Sequence, residues 1–226
     1  DYLSDLIPDT SIYANLNLRE ILAHQSGLQA WIPFYIKTLD KGEPRREIYR
    51  SDSSKTFPIR VANNLYINKY YPDTIYQRIL RGPLKEKNYR YSDLGYYFLK
   101  KISEKQTGEP LENYVAKIYA QMGMTTTGYL PRKRFDIDRM PPTEYDMAFR
   151  KQLIKGDVHD PGAAMLGGVG GHAGVFSNAN DLAKLMQLYL NKGTYGGVQY
   201  IKDTTVNEYI KCQFCKDNRR AAGFDK

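Results

Sequence analysis

The most regular hydrophobic pattern in the chain lies between Pro110 and Gly123. Apolar side chains recur there at Leu111, Tyr114, Val115, Ile118, Tyr119 and Met122. Because residues three and four apart share one face of an α-helix, this spacing predicts an amphipathic helix. Proline suits the first turn of a helix and glycine its end, so the two flanking residues set its limits.

Two further helices are predicted from a polar cap followed by the same spacing. Ser92 is expected to cap a helix that runs to about Thr107, buries Leu94, Phe98 and Ile102, and ends at Gly108. Ser177 or Asn178 is expected to cap another, closed by Gly193, whose inward residues are Leu182, Leu185, Met186 and Tyr189. A last helix is expected over roughly residues 204–211.

The remaining segments predict a short helix, extended chain and loops. Asn17 fits the N-cap of a helix that carries Leu18, Ile21 and Leu22 on one face, with Gly27 as its stop. A charged loop over residues 41–60 is expected to return as an extended segment at 56–61. Residues 66–80 are expected to be helical in part and broken at Pro72. Residues 131–166 are expected to be irregular, and residues 195–198 to form a tight turn before a short strand.

The composition is that of an ordinary globular protein, which removes several classes. Of the 226 residues, 42% are hydrophobic and 26% are charged, which excludes a disordered chain, a collagen-like repeat and a disulfide scaffold. No apolar run approaches the roughly 18 residues of a membrane span, so no transmembrane segment is predicted. The net charge of +8 suits an anionic partner, but the basic residues are scattered apart from residues 132–134. A basic surface is therefore favoured over a nucleic-acid site, and no nucleic-acid partner is predicted.

No residue pattern indicates a cofactor or a metal. Residues 168–173 match the dinucleotide pattern G-x-G-x-x-G/A, but no buried strand precedes them as that site requires. Cys212 and Cys215 form one C-x-x-C pair without the second pair that a zinc site needs. The pair closes a helix-like stretch, whereas a redox motif opens one. We therefore predict neither cofactor nor metal, and the role of the two cysteines stays open.

The chain also lacks the serine patterns of two hydrolase classes. The pattern G-x-S-x-G, which marks a nucleophile elbow, does not occur. The pattern S-x-x-K does not occur either, although serine and lysine three apart on a helix would let the amine take the serine proton. Residues 51–55 come close to this second pattern but have the wrong spacing.

Several segments, in order and over nearly the whole chain, resemble one enzyme superfamily. They are Leu18–Leu28 (LREILAHQSGL), Tyr91–Tyr96 (YSDLGY), Thr107–Leu111 (TGEPL), Met122–Thr127 (MGMTTT) and Gly171–Ser177 (GHAGVFS), followed by Asp181–Ala183 (DLA). Together they are similar to the serine β-lactamase and DD-peptidase superfamily of penicillin-recognising enzymes, nearest to its class C-like branch. Residues 158–164 resemble a subgroup in which this domain follows a family 3 glycoside hydrolase domain.

The resemblance implies an α+β fold of the β-lactamase/transpeptidase type, mostly its helical subdomain with part of its antiparallel-sheet subdomain. The family uses an S-x-x-K pair, a Tyr-x-Asn motif and a K-T-G or H-T-G strand. Only the second motif has a counterpart here. Residues 1–226 are therefore expected to form a partial domain without the nucleophile helix and the final strands, inactive in isolation.

That counterpart makes Tyr91 and Asp93 the predicted catalytic residues. The resemblance implies that Tyr91 transfers a proton, which requires a nearby cation because a phenol normally titrates near pH 10. Asp93 stands where many members have asparagine, and an ionised carboxylate accepts hydrogen bonds but donates none. This departure weakens the case for β-lactam turnover more than the case for ester or peptide hydrolysis. Three further polar residues are expected to be structural: His24, Ser26 and His172.

The function implied by the resemblance is that of a serine hydrolase which forms an acyl-enzyme on peptidoglycan-type peptides, esters or β-lactams. Such an enzyme is expected in the periplasm or at the cell surface, with a small-molecule or peptidoglycan-derived substrate. The alternative is a non-catalytic cell-wall-binding relative of the same fold. In that case Tyr91 is an ordinary tyrosine and Asp93 is an acid that faces the dipole of a helix start.

Overall fold

The computed structural model describes residues 3, 6–7, 11–216 and 218–225. Its α-helices are α1 (Leu18–Leu22), α2 (Tyr71–Leu80), α3 (Leu94–Thr107), α4 (Leu111–Gln121), α5 (Pro161–Met165), α6 (Ala179–Leu190) and α7 (Asp203–Tyr209). Short 3₁₀ helices cover Phe34–Thr38, Pro131–Lys133 and Ile137–Arg139. None of the helices in this described part is long and apolar enough to span a bilayer.

The strands are short and pair only with antiparallel neighbours over the described ranges. They are β1 (Leu39–Asp40), β2 (Glu43–Pro44), β3 (Tyr49–Arg50), β4 (Ile59–Ala62), β5 (Leu65–Ile67), β6 (Pro142–Asp146), β7 (Gln152–Lys155), β8 (Thr194–Tyr195) and β9 (Val198–Gln199). β5 lies between β3 and β4, with Tyr49 and Ile59 both opposite Ile67. The other pairs are the hairpins β1-β2, β6-β7 and β8-β9.

The chain divides into two compact units. The first unit contains the described parts of residues 1–31, 82–127 and 177–226, and it holds α1, α3, α4, α6 and α7 with the hairpin β8-β9. The second contains residues 32–81 and 128–176, with the other sheets, α2 and α5. The predicted α+β class is confirmed, with a helical unit and a smaller antiparallel component.

The α3 helix forms where its cap and spacing predicted it. The hydroxyl of Ser92 accepts the Leu94 N–H at 3.2 Å, and the helix ends at Gly108, which takes a left-handed conformation with φ of 71°. Leu94 and Phe98 are buried and Ile102 is half-buried. Local sequence signals therefore place this helix and its inner face.

The α4 helix also has its predicted limits, with Gly123 at φ of 66° just beyond it. No residue within the helix is fully buried. Met122, the residue that follows it, joins Met124 and Leu188 in a small core cluster. The strongest apolar period in the chain thus belongs to a helix that packs at the edge of its unit.

The prediction for the end of α1 is wrong. Asn17 caps the helix as expected, accepting the backbone N–H groups of Arg19 and Glu20. The helix ends at Leu22, however, well before Gly27. Gly27 instead has φ of 76°, and a Cβ there would lie 2.2 Å from the carbonyl oxygen of Lys85. A glycine is therefore needed at position 27 because two loops approach each other closely there, and not because a helix ends there.

Pro72 does not break a helix, contrary to the prediction. It lies in the first turn of α2, where its missing N–H would have no intrahelical partner. The apolar residues before it, Leu65–Ile67, form strand β5. The pattern over residues 66–80 therefore combines the end of a strand with the whole of a helix.

Residues 131–166 are more ordered than predicted, because they contain the β6-β7 hairpin and α5. The side chain of Arg150 is fully buried there, and its Nε donates to Asp146 at 2.6 Å. Its other nitrogens donate to the carbonyl oxygens of Val158 at 2.7 Å and His159 at 2.6 Å. A buried guanidinium in which each nitrogen donates a hydrogen bond orders a segment that has no clear apolar period.

The α6 helix has the predicted cap but a different inner face. Asn178 accepts the Asp181 N–H at 2.8 Å, which fixes the start of the helix. The buried residues are Asp181 and Leu188, whereas Leu182 is 45% exposed and Met186 is 52% exposed. The expectation that Leu182 and Met186 point inward is therefore wrong.

Asp181 lies on the buried side of α6, where its side chain binds the loop that follows α4. One carboxylate oxygen accepts the backbone N–H groups of Thr126 at 2.9 Å and Thr127 at 3.1 Å. It also accepts the Thr126 hydroxyl at 2.6 Å and the Thr127 hydroxyl at 3.2 Å. A buried carboxylate needs such donors, and these bonds hold Asp181 on the buried side of α6.

Replacing this carboxylate is expected to destabilise the first unit. We expect Asp181→Ala to lower the free energy of unfolding by about 2 kcal/mol, because buried donors lose a charged acceptor. The matched control is Asp203→Ala, an exposed acid in the first turn of α7, with an expected loss of about 0.5 kcal/mol or less. Urea unfolding followed by circular dichroism compares the two.

The same contact gives the chain a specific response to acid. Burial raises the pKa of Asp181, but hydrogen bonds from Thr126, Lys184 and Thr127 outweigh it and lower the pKa from 3.8 to about 2. The stability from this group is thus present above about pH 4 and lost as pH falls towards 2. Melting temperatures over that range should show this loss in the native protein and not in Asp181→Asn. An equal loss in both would contradict it.

Candidate active site

Tyr91 lies in the first unit, on the loop that enters α3, and its side chain is 51% exposed. The residue after it, Ser92, is buried and makes three hydrogen bonds. Its N–H donates to Nδ1 of His24 at 3.1 Å, and its hydroxyl donates to the carbonyl oxygen of Gln29 at 2.6 Å and accepts the Leu94 N–H. These bonds fix the backbone that carries Tyr91.

The ring of Tyr91 packs against the ring of His24. His24 is buried, with 5% of its surface exposed. Its backbone is left-handed, with φ of 56°. The centroid of its ring lies 4.5 Å from that of Tyr91 and 5.5 Å from that of Tyr96. A left-handed conformation is unusual for a residue with a side chain, and here it turns the imidazole under the tyrosine.

The imidazole of His24 is neutral at physiological pH. Burial, followed by the positive charge of Arg220, lowers its pKa from 6.5 to about 4. Since Nδ1 accepts the Ser92 N–H, the ring hydrogen is on Nε2. The ring therefore contributes packing and one hydrogen-bond acceptor, without a charge.

Arg220 supplies the positive charge next to this pair. Its guanidinium carbon lies over the Tyr91 ring, 5.5 Å from the centroid, within the range of a cation–π interaction. The same guanidinium donates to the Tyr89 hydroxyl at 3.4 Å and pairs with Asp225 at 3.3 Å. Arg220 could not be identified from the sequence, because no local pattern connects it with Tyr91.

Asp93, the other predicted catalytic residue, is half-buried directly before the first residue of α3. Its N–H donates to the carbonyl oxygen of Ala30 at 3.1 Å, and its carbonyl oxygen accepts the Tyr96 N–H at 3.0 Å. Ser92 provides the side-chain cap of the helix. The backbone of Asp93 is thus held in place, two residues from Tyr91.

The other polar residues singled out by the sequence lie in different surroundings. Ser26 is buried, with 3% exposure. His172 belongs to the second unit, where its Nε2 lies 2.9 Å from Oδ1 of Asp160. His159 contacts Glu144 at 3.2 Å. Within the described residues, no group of three or more histidine, cysteine, aspartate or glutamate side chains is arranged to hold a metal.

The two cysteines are joined to each other by a disulfide bond just after α7. Cys212 also forms an isolated β-bridge with Ala221. The bond therefore closes a turn beside the segment that carries Arg220. The glycine-rich residues 168–173 follow helix α5 and not a strand, in contrast to a dinucleotide-binding turn.

The fold is that of the serine β-lactamase and penicillin-binding-protein superfamily. The model of the family Beta-lactamase matches residues 2–208, and the chain belongs to this family. The resemblance inferred from the sequence motifs is thereby confirmed.

Individual relatives agree with this assignment. An Escherichia coli K12 protein described as "Putative D-alanyl-D-alanine carboxypeptidase" is 33% identical over 92% of this chain and 55% of its own length. The N-acetylmuramyl-L-alanine amidase of Bacillus subtilis is 32% identical over 83% of this chain and 41% of its own. The chain spans about half the length of these curated relatives.

A solved structure shows the same fold. The penicillin binding protein from Bacillus halodurans superimposes with a TM-score of 0.56 at 16% identity, over 99% of this chain and 59% of that one. At this identity the likeness concerns the fold alone.

The neutral state of His24 is directly measurable. We expect its imidazole to titrate with a midpoint near pH 4 in a ¹⁵N NMR titration, because burial and Arg220 oppose protonation. Since the folded-state pKa lies below the unfolded value of 6.5, stability should fall as pH drops from about 6.5 towards 4. The His24→Gln variant identifies the signal. A midpoint near 6.5 would contradict the buried, neutral ring.

Proposed function

We propose that the chain is part of a serine hydrolase in which Tyr91 takes the proton of a serine hydroxyl as that serine is acylated and passes it to the leaving group. In deacylation Tyr91 would take a proton from water and return it to the serine oxygen. The observation that carries the proposal is the placement of Tyr91. Its ring is held against a buried histidine and under an arginine, while half of its surface stays open. A tyrosine that only supported the fold would not need to stay half exposed next to a cation.

The nucleophile is proposed to lie outside residues 1–226. No serine of this sequence has a lysine three residues later, and the curated relatives are about twice as long. Residues 1–226 would then be a partial domain, without the nucleophile helix and the final strands. One face of α6 supports this, because Leu182, Met186 and Leu190 are 45%, 52% and 77% exposed. Apolar surface of this kind usually has a partner.

The proposed substrates are peptidoglycan-type peptides or esters. The two relatives are named as a D-alanyl-D-alanine carboxypeptidase and an N-acetylmuramyl-L-alanine amidase, and both names refer to bonds of cell-wall peptides. An extracytoplasmic location, in the periplasm or at the cell surface, follows from such a substrate. A glycoside hydrolase domain in the same gene product is proposed from residues 158–164 alone, and the coding sequence on either side of the segment tests it.

The second candidate is a cell-wall-binding protein without catalysis. It is favoured by the absence of S-x-x-K from the sequence and by the net charge of +8. Covalent labelling separates the two functions, because only a serine hydrolase forms a stable acyl-enzyme. A fluorescent penicillin and a fluorophosphonate should label the full-length protein if it is an enzyme, and neither should label it if it only binds.

Removing the phenol of Tyr91 tests the proposed role. We expect Tyr91→Phe in the full-length protein to lower kcat for a chromogenic ester by about 100-fold or more, because general acid–base catalysis contributes about that much. The control is Tyr114→Phe on α4, an exposed tyrosine at 39%, which should keep its activity. Unchanged turnover in Tyr91→Phe would remove the proposed role.

The carboxylate of Asp93 should set the preference between substrates. We expect Asp93→Asn to increase the rate of acylation by a fluorescent penicillin about tenfold, because the amide gains a donor worth about 1.4 kcal/mol. Ester turnover should change much less. Stopped-flow labelling and ester assays measure the two effects. A loss of penicillin acylation in this variant would show that Asp93 does not replace the family asparagine.

A further inference from the structure

Arg220 reaches Tyr91 from a segment that lies 129 positions further along the chain. The side chain of Arg220 is only 15% exposed, although the residue is charged. Its guanidinium contacts the Tyr91 ring, the Tyr89 hydroxyl and the Asp225 carboxylate. Such a position requires that the backbone of this segment is fixed.

The residue that fixes it is Asn218, which is buried with 4% exposure. Its Nδ2 donates to the carbonyl oxygen of Ala23 at 2.8 Å and to Oε1 of Gln25 at 2.9 Å. Its Oδ1 accepts the N–H of Arg220 at 2.8 Å. Ala23 and Gln25 flank His24, so one amide side chain aligns the loop of His24 and the backbone of Arg220.

We propose that Arg220 is a positioning residue that holds the ring of Tyr91 and favours its phenolate form. The proposal rests on the proposed function, in which Tyr91 acts as a base. A phenol can take a proton from a serine only as phenolate, and a cation next to the ring stabilises that anion. Arg220 is a cation from within this chain, additional to any lysine that the nucleophile motif contributes.

The charges around Tyr91 agree with this role. The titratable groups near it include His24, Tyr89, Asp93, Tyr96, Arg220 and Asp225. His24 is neutral, because its pKa is lowered to about 4. Asp225 opposes the effect, since it shares the guanidinium of Arg220 and also pairs with Arg219 at 2.7 Å. Asp225 is 44% exposed and therefore screened by water, whereas Arg220 is largely covered.

Tyr91 in turn affects the protonation of Arg220. Burial lowers the pKa of Arg220, but the hydrogen bond and charge of Tyr89, followed by the charges of Asp225 and Tyr91, raise it overall. A tyrosinate that favours the protonated guanidinium is, by linkage, favoured by it to the same extent.

The experiment is a titration of Tyr91 in the full-length gene product labelled with ¹³Cζ-tyrosine. The signal that disappears in Tyr91→Phe identifies the residue. We expect Arg220→Gln to raise the pKa of the Tyr91 phenol by about one unit, a tenfold weaker acid. The matched control is Lys211→Gln, which removes the same charge from an exposed side chain just after α7. It should leave the Tyr91 pKa in place.

Two more variants separate an electrostatic role from a structural one. Arg220→Lys keeps the charge and should keep most of the effect. Asp225→Asn removes the competing carboxylate and should shift the Tyr91 pKa in the opposite direction, downwards. This variant carries the test if Arg220→Gln does not fold. An unchanged Tyr91 pKa in both Arg220→Gln and Asp225→Asn would overturn the proposal.

Activity separates this proposal from the proposed function. If Tyr91 is the base, Arg220→Gln should move the acidic limb of the kcat profile to higher pH by the same amount as the phenol pKa. If Tyr91→Phe keeps full turnover, the proposed function fails, and with it the catalytic purpose of Arg220. If Tyr91→Phe loses turnover but Arg220→Gln moves neither the phenol pKa nor the rate profile, only the inference about Arg220 fails.

Discussion

The hydrogen bond from the Ser92 N–H to the buried ring of His24 is the contact on which the candidate site depends. It joins the loop after α1 to the start of α3, and the two residues are 68 positions apart. The bond requires a neutral imidazole, which burial ensures, and a left-handed backbone at His24. With the ring of His24 fixed, Tyr91 has a surface to pack on while about half of the residue stays exposed. The site is therefore formed by two loops, one following α1 and the other leading into α3.

The sequence was sufficient to predict those helices and motifs whose signals lie in neighbouring residues. The cap at Ser92, the glycine at Gly108 and the apolar spacing between them place α3, and the same kinds of signal place α4. The motif around Tyr91 could be found because its residues are contiguous. Asp93 could be identified as a departure for the same reason.

The rest could not be predicted, because it depends on contacts between distant residues. The inner face of α6 is set by the bonds of Asp181 to Thr126 and Thr127, so its most hydrophobic side is not its buried side. The hairpin after residue 140 is ordered by the buried guanidinium of Arg150. Arg220 reaches Tyr91 only because Asn218 binds the His24 loop. None of these contacts has a periodic signature.

The role proposed for Tyr91 is tested most directly by a crystal structure of the full-length protein with its serine acylated by a penicillin. The account predicts that the phenol oxygen of Tyr91 lies about 3 Å from Oγ of the acylated serine, within hydrogen-bond distance. The guanidinium of Arg220 should still lie over the ring. An acylated serine with another base at that distance, and with Tyr91 turned to solvent, would contradict the role proposed for Tyr91.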